Sequence, residues 1–339
     1  MSRTELKRVV QQAPWTLEHD HLAESMPTGA TSSNPNSSGV TRRTFLTSVA
    51  VTSAATTLGI LGPTRLCPAQ DLSEKKGAEI RYGLVTYQWG KDWDLATLLK
   101  NCEQAEVFGV ELRTTHKHGV EPGLTEDQRA DVRKQFEATP VQLVGIGSNE
   151  WFHSPDPAVL QKAIETTKQF VRLSHDVGGS GVKVKPDSFQ KDVPHEKTIE
   201  QIGRSLNLLG EYASGFGQQI RLEVHGQCCQ LPTIKAIMDV ADHANVAVCW
   251  NSNAQDLEAP GLEHNFNLVK DRLGQTTHVR RFDTKTYPWA QLLDLYVKAD
   301  YSGWMMLEEG ELPADPAAEL IVQRKLFEQM LAEARQRSG

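Results

Sequence analysis

Eight short β-rich runs, separated by helical patterns, constrain the fold of this chain more than any other feature of its sequence. Successive runs begin 25 to 40 residues apart. We predict strands at Ile80–Thr86, Gly109–Arg113, Val141–Gly147, Gly181–Lys185, Ile220–His225, Val246–Trp250, His278–Phe282 and Gly303–Leu307. We predict helices between and after them at Asp94–Phe108, Asp127–Ala138, Pro157–Val177, Thr198–Gly215, Leu231–His243, Trp289–Ala299 and Ala317–Arg335. This alternation predicts an α/β fold, a (β/α)₈ barrel of parallel strands.

An open, doubly wound sheet is the alternative architecture for the same alternation. No G-x-G-x-x-G motif follows the first predicted strand, so the dinucleotide-binding version of that sheet lacks its usual signature. The barrel is therefore the favoured fold for residues 79–339.

The first 69 residues differ from the rest in charge and composition. Six of the 36 basic and four of the 43 acidic residues lie there, so residues 70–339 carry 30 basic and 39 acidic side chains and a net charge of −9. Residues 27–41 are rich in Ser, Thr, Asn, Pro and Gly, which predicts disorder. Arg42-Arg43 and Phe45-Leu46 then precede a weakly apolar stretch that ends near Gly62, with Ala69 at a candidate cleavage site.

This arrangement resembles a twin-arginine export signal. It implies recognition by the twin-arginine export machinery and a periplasmic or other extracytoplasmic location for the barrel. Residues 70–78 would form a linker. Retention at the membrane by an uncleaved signal is the alternative, and translation from Met26 would shorten the unusually long segment before the arginine pair. The acidic body also argues against a nucleic-acid partner, which usually requires a basic surface.

Metal-binding and proton-transfer side chains cluster at the predicted strand ends, where barrels of this kind place their active sites. Strand 2 runs into Glu111 and Arg113, followed by His116 and His118, and strand 3 is followed by Asn149, Glu150 and His153. Strand 4 carries Lys183, Lys185 and Asp187, and strand 5 carries Glu223 and His225. The last three strands supply Asn251, Asn253, His278, Glu308 and Glu309. On strand 5, alternation places Arg221, Glu223 and His225 on the lumen face, and Leu222 and Val224 against the helices.

Six motifs in barrel order carry a resemblance to a known family: LVTYQW, VELRTTHKHGVE, NEWFHSPDP, LEVHG, CWNSN and GWMMLEE. Over residues 79–335 the chain resembles the xylose isomerase-like superfamily, in its sugar phosphate isomerase/epimerase branch. The resemblance implies one divalent metal ion (Mn²⁺, Mg²⁺, Co²⁺ or Zn²⁺) held by Glu223, Asn251, His278 and Glu308. Asn251 stands where the family usually has Asp, and a neutral amide is a weaker ligand for such an ion. Asp256 could compensate only if its loop folds inward.

The same resemblance implies an isomerase or epimerase of a sugar or keto-sugar, in which Glu223 and Glu308 remove and return a proton. A small-molecule carbohydrate is the expected partner. The side chains expected to bind its oxygens are His116, His118, His153, Lys185, His225 and Arg281. Two alternatives stay open: a keto-sugar lyase or hydratase using the same site, and a non-catalytic carbohydrate-binding barrel with a degraded metal site. The abasic-site endonucleases of this fold would need more metal ligands and a basic face, which disfavours that class.

Overall fold

A computed structural model describes residues 79–339, so the predicted export signal, linker and start site lie outside the described residues. Within the described range, eight parallel strands alternate with eight α-helices. The strands are β1 (Ile80–Val85), β2 (Gly109–Arg113), β3 (Gln142–Trp151), β4 (Gly181–Lys185), β5 (Gln219–Glu223), β6 (Val246–Cys249), β7 (Thr276–Val279) and β8 (Gly303–Leu307). The helices are α1 (Leu95–Gln104), α2 (Glu126–Glu137), α3 (Pro157–Asp176), α4 (His195–Ser214), α5 (Leu231–Val240), α6 (Leu262–Asn267), α7 (Trp289–Lys298) and α8 (Pro316–Ser338).

The sheet runs in the order β6-β5-β4-β3-β2-β1-β8-β7, and all seven neighbouring strand pairs are parallel. Two isolated bridges join its edges, one between Val248 and Leu273 and one between Asn251 and His278. The sheet therefore curls into the predicted (β/α)₈ barrel. Its seam brings together two side chains that the resemblance assigns to the metal site.

The sequence predictions match the strands closely except that β3 continues past the predicted end at Gly147 to Trp151, and that β7 is displaced. That strand was predicted at His278–Phe282, whereas it covers Thr276–Val279. The prediction was wrong because Thr276 and Thr277 are wholly buried in the barrel wall, while Arg280 and Arg281 already belong to the following loop. Helix α6 was not predicted, since its six residues are too few to show a helical period.

Local sequence signals explain where several helices begin. The side chains of Asp94, Asp156 and Asp315 accept hydrogen bonds from backbone N–H groups in the first turns of α1, α3 and α8. Thr125 and Gln128 form a reciprocal capping box at the start of α2. These caps satisfy N–H groups that have no partner inside the helix.

The main apolar core lies between the barrel wall and the helices. Leu222 on β5 and Val224 just after it are wholly buried in this core, as predicted from strand alternation. A second, smaller apolar cluster consists of Val85, Val144, Trp304 and Met306. Among residues 79–339, no helix combines the length and apolarity needed to cross a membrane.

The amino ends of the strands close around Arg221 of β5, whose side chain is wholly buried. Its guanidinium donates hydrogen bonds to four neutral acceptors: the Val144 carbonyl (3.3 Å), Ser180 Oγ (2.7 Å), Gln219 Oε1 (3.0 Å) and Gln275 Oε1 (3.2 Å). A Cβ atom on Gly145 or Gly181 would lie within 3.0 Å of this guanidinium. These two glycines therefore make the space that Arg221 fills. We call this group of residues the barrel floor.

Candidate active site

At the opposite, carboxyl ends of the strands, six polar side chains converge inside the barrel. All are at most 8% exposed. We call this group the carboxylate centre; its members are Glu111, Lys183, Glu223, Asn251, His278 and Glu308. They come from β2, β4, β5, β7 and the residues that follow β6 and β8.

The imidazole of His278 lies at the middle of the carboxylate centre. Its Nδ1 is 3.3 Å from Glu223 Oε1 and 3.2 Å from Glu308 Oε2. Its Nε2 is 3.1 Å from Glu111 Oε1. One buried ring thus faces carboxylates through both nitrogens, with Glu223 and Glu308 meeting on the same nitrogen.

Lys183 and Asn251 contact Glu223 from two sides. The Lys183 ammonium lies 2.8 Å from Glu223 Oε2, and the Asn251 amide Nδ2 donates to Glu223 Oε1 at 2.9 Å. Asn251 Oδ1 is buried and accepts no hydrogen bond. Gly147 on β3 leaves room for the side chain of Glu111, because a Cβ atom on Gly147 would lie 3.1 Å from Glu111 Oε1.

Charge neighbours rather than burial set the ionisation of the centre. Burial acts to lower the pKa of Lys183, but the surrounding carboxylates outweigh it and hold that pKa above its usual value. Burial acts to raise the pKa of Glu223, yet Lys183 and the nearby histidines hold it well below its usual value. For Glu308, burial again acts upward, and His278 lowers the pKa to about 2. Both carboxylates are therefore ionised at neutral pH.

The donor set of the centre fits one divalent metal ion. Ligand atoms of Glu223, His278 and Glu308 all lie within 4.8 Å of one another. Glu111 on Nε2 orients the His278 ring so that Nδ1 faces the two glutamates, which is how carboxylates commonly support a metal-binding histidine. The orphaned Oδ1 of Asn251 offers a fourth, neutral donor. The positive charge of Lys183 makes the set less anionic, which weakens its affinity for a cation.

Asp256 does not join this set. Its carboxylate accepts hydrogen bonds from the Tyr287 hydroxyl at 2.6 Å and from the backbone N–H of Asn253 at 2.9 Å. Burial raises the pKa of Asp256 to about 7. The group of ligand atoms that lie within 4.8 Å of one another consists of Glu223, His278 and Glu308, so Asp256 does not stand in for an Asp ligand at position 251.

Two of the side chains predicted to bind substrate lie beside the centre. Lys185 follows Lys183 on the same face of β4, and His225 follows Glu223 on β5. The His225 Nδ1 is 2.9 Å from Asp187 Oδ1.

Three predicted histidines lie in the loops after β2 and β3. The His116 Nε2 is 3.3 Å from the Arg113 guanidinium. Both ring nitrogens of His118 are bonded to backbone groups, the carbonyl of Arg113 and the N–H of Val120, so this ring braces its own loop. The His153 ring stacks on Trp151 at 4.2 Å, and its Nδ1 lies near the Pro186 carbonyl.

Arg281, the remaining predicted substrate ligand, already has ionic partners. Its guanidinium is 2.7 Å from Asp283 Oδ2 and 3.3 Å from Glu319 Oε1. These contacts tie the loop after β7 to α8. They leave the predicted contact with substrate unsupported by the geometry.

Sequence reasoning placed Glu111 and Lys183 at strand ends but gave neither a role in the centre. Glu111 reaches His278 from a position 167 residues away in the chain. The available signal was the alternation of Glu111 with Arg113 and of Lys183 with Lys185, which predicts that each pair shares one face of its strand.

Comparison with known proteins identifies the family to which this barrel belongs. A family model described as the xylose isomerase-like TIM barrel matches residues 99–326, and the chain belongs to that family. No curated protein sequence matches the chain.

Solved structures of the same fold include several sugar epimerases. An L-ribulose 3-epimerase aligns with TM-score 0.66 at 16% identity, covering 76% of this chain and 97% of the other. The IolI protein with a bound zinc atom aligns with TM-score 0.64 at 14% identity, covering 75% and 99%. D-psicose 3-epimerase from Clostridium cellulolyticum H10, solved with D-tagatose, aligns with TM-score 0.59 at 15% identity, covering 76% and 96%. At such low identity these structures establish the shared fold.

Proposed function

We propose that this protein is an epimerase or isomerase of a sugar or keto-sugar that works by proton transfer at the carboxylate centre. One observation carries the proposal: the carboxylates of Glu223 and Glu308 converge on His278 Nδ1 at the carboxyl ends of the strands. The epimerases among the solved structures of this fold support the same class of reaction.

The two glutamates are suited to remove and return a proton. They extend from β5 and from the end of β8, so they approach a sugar bound above the carboxylate centre from two strands. One carboxylate accepts the proton from a carbon next to a carbonyl group, which leaves an enediolate. Return of a proton to the other face of that carbon gives the epimer, and return to the neighbouring carbon gives the isomer.

Lys183 is a positioning residue in this scheme. Its ammonium binds Glu223 Oε2 and leaves Oε1 facing His278. It also keeps Glu223 ionised. Burial of the pair strengthens this control, because the two charges have little water to screen them.

The four predicted metal ligands would hold a divalent ion at Glu223, Asn251, His278 and Glu308. Such an ion would bind adjacent sugar oxygens and stabilise negative charge on the substrate. The bound zinc atom of the IolI structure supports a metal in this family's fold.

A non-catalytic carbohydrate-binding barrel is the second candidate function. It is favoured by the Lys183–Glu223 ion pair, which places a permanent positive charge where the donor set would otherwise attract a cation. Metal analysis separates the two functions. We expect the purified barrel to bind a divalent ion and to melt at a higher temperature when Mn²⁺ or Zn²⁺ is added. No bound metal, no thermal shift and no turnover would favour the binding protein.

The decisive experiment follows hydrogen exchange on a panel of keto-sugars in deuterated water by NMR. We expect the wild-type protein to exchange a C–H proton next to a carbonyl, and the variants Glu223→Gln and Glu308→Gln to lose that exchange. Glu311→Gln, at an exposed site beyond Glu308, is the matched control and should retain it. Exchange that persists undiminished in both site variants would remove the proposed mechanism.

We also propose that the protein acts outside the cytoplasm, which rests on the Arg42-Arg43 segment. Replacing both arginines by lysine should leave the precursor in the cytoplasmic fraction. Equal export of that variant would contradict the twin-arginine route.

A further inference from the structure

A second layer of charged side chains lies one step nearer the barrel mouth than the carboxylate centre. On β2, Arg113 follows Glu111 on the same face, and on β4, Lys185 follows Lys183. Two residues along a strand advance about 6.6 Å. This second layer therefore carries two cations above a deeper layer that is rich in carboxylates.

Arg113 is held in place by neutral groups only. Its Nη1 contacts His116 Nε2 at 3.3 Å, its Nη2 donates to Asn149 Oδ1 at 3.2 Å, and its guanidinium lies over the Tyr87 ring at 5.0 Å. Burial, followed by the charge of Arg113, lowers the pKa of His116 to about 4, so this imidazole is neutral and can accept the bond. A guanidinium has five N–H donors, and these contacts use two of them. The remaining donors have no carboxylate partner among residues 79–339.

Lys185 is the second cation without an anionic partner. In the described part of the chain, its ammonium makes neither an ion pair nor a hydrogen bond, although the side chain is only partly exposed. Asp187, the nearest acidic residue on this segment, is already paired with His225 at 2.9 Å. Burial and then the charge of Lys183 lower the pKa of Lys185; the charges of Glu223 and Asp187 oppose this effect without cancelling it, and the charge of Arg113 adds to it. The positive charge of Arg113 thus acts on Lys185.

Half-buried cations without counter-ions are costly, because burial removes hydration and no opposite charge replaces it. A bound anion would remove that cost by pairing with both groups. The planar guanidinium of Arg113, fixed by its neutral partners, suits two parallel hydrogen bonds to one anionic group, and the ammonium of Lys185 adds a point charge.

We propose that the substrate is an acidic sugar, whose carboxylate or phosphate group is bound by Arg113 and Lys185 while its reacting carbons face the carboxylate centre. This deepens the proposed function and rests on it only for the orientation of the sugar. The anionic group lies on the mouth side of the reacting carbons.

Calorimetric titration with matched ligands tests the proposal. The probes are D-glucuronate against D-glucose, D-galacturonate against D-galactose, and glucose 6-phosphate. We expect at least one anionic probe to bind at least tenfold more tightly than its neutral counterpart, and the carboxylate and phosphate arms to show which group is preferred. Equal affinity for neutral and anionic sugars, or no binding of any anionic probe, would overturn the proposal.

Variants of the two cations assign the effect to the site. Arg113→Met and Lys185→Met should each weaken binding of the anionic probe by about 10- to 100-fold, as expected for loss of a hydrogen bond to a charged group. Their affinity for the neutral sugar should change much less. Lys162→Met, which removes an exposed cation from α3, is the control and should bind like wild type. Equal losses for neutral and anionic sugars, or an equal loss in the control, would contradict the assignment.

This test separates the two proposals. Anion-selective binding without any hydrogen exchange would support the acidic ligand and remove the epimerase. Exchange on neutral sugars that is unaffected by Arg113→Met would support the epimerase and remove the acidic substrate.

Discussion

The barrel buries a cation at each end of its interior, and the two cations have different kinds of partner. On the floor, Arg221 donates to four neutral acceptors, and its side chain has no unsatisfied nitrogen. In the carboxylate centre, Lys183 lies among glutamates, and Asn251 Oδ1 has no partner. The floor is saturated and therefore structural. The carboxylate centre has an unpaired acceptor, Asn251 Oδ1, and more carboxylates than ammonium groups. Both properties are typical of a ligand-binding site.

The largest effect should come from removing the cation of the centre. Lys183→Met leaves three buried carboxylates with less compensation, and we expect it to lower the free energy of unfolding by about 3–5 kcal/mol. Denaturant unfolding measures the loss. Added Zn²⁺ or Mn²⁺ should restore part of it, because the metal supplies the missing positive charge. A variant with the wild-type free energy of unfolding, unchanged by added metal, would contradict the proposed difference between the carboxylate centre and the barrel floor.

Removing the cation of the floor should cost somewhat less and should not respond to metal. Arg221→Met strands four acceptors and opens space beside Gly145 and Gly181, so we expect a loss of about 3 kcal/mol. The same unfolding experiment measures it. Rescue of this variant by divalent metal would show that the two ends of the barrel are not independent.

The free energy of unfolding should depend on pH through Asp256, which lies in the loop after β6, and not through the barrel floor. Burial raises the pKa of Asp256 to about 7, so the folded state binds a proton that the unfolded chain releases near pH 4. The stability that this proton provides is complete below about pH 4 and is lost as the pH rises through about 7. A difference of about three pH units between the two pKa values corresponds to about 4 kcal/mol, so we expect a loss of a few kcal/mol over that range. Asp256→Asn should flatten this part of the stability profile, and an unchanged slope would contradict the assignment.

The smallest effect should follow restoration of a charged ligand at the seam. Asn251→Asp adds a carboxylate beside Glu223 and His278, so affinity for Mn²⁺ or Zn²⁺ should rise about tenfold or more, equivalent to about 1.4 kcal/mol. Metal-dependent thermal shifts measure the change. Asn253→Asp, on the same loop, is the control. Equal gains in both variants would mean that added negative charge acts through the general field and not through ligation.

The sequence predicted most of the fold, because each strand and long helix carries its own local pattern. The predicted start of β7 was two residues too far along the chain, since the buried pair Thr276-Thr277 shows no apolar period. Helix α6 was missed because six residues are too few to show a helical period. Glu223, Asn251, His278 and Glu308 were expected together, and the structure brings them together.

Contacts across the barrel were beyond sequence reasoning. Glu111 and Lys183 join the centre only because the stagger of the strands brings their side chains to the level of His278 and Glu223. Arg281 was expected to bind substrate, but it forms ion pairs with Asp283, two residues away, and with Glu319 on α8. The distinction between a saturated floor and an open centre depends on such long-range partners.

We expect Glu223 to act in proton transfer and Arg221 to have no part in it. The most direct measurement is the rate of hydrogen exchange next to the substrate carbonyl in deuterated water, expressed per folded molecule. We predict that Glu223→Gln lowers this rate by about 10²–10⁴-fold while Arg221→Met leaves it within a factor of a few. Equal rates in the wild type and in Glu223→Gln would contradict the account.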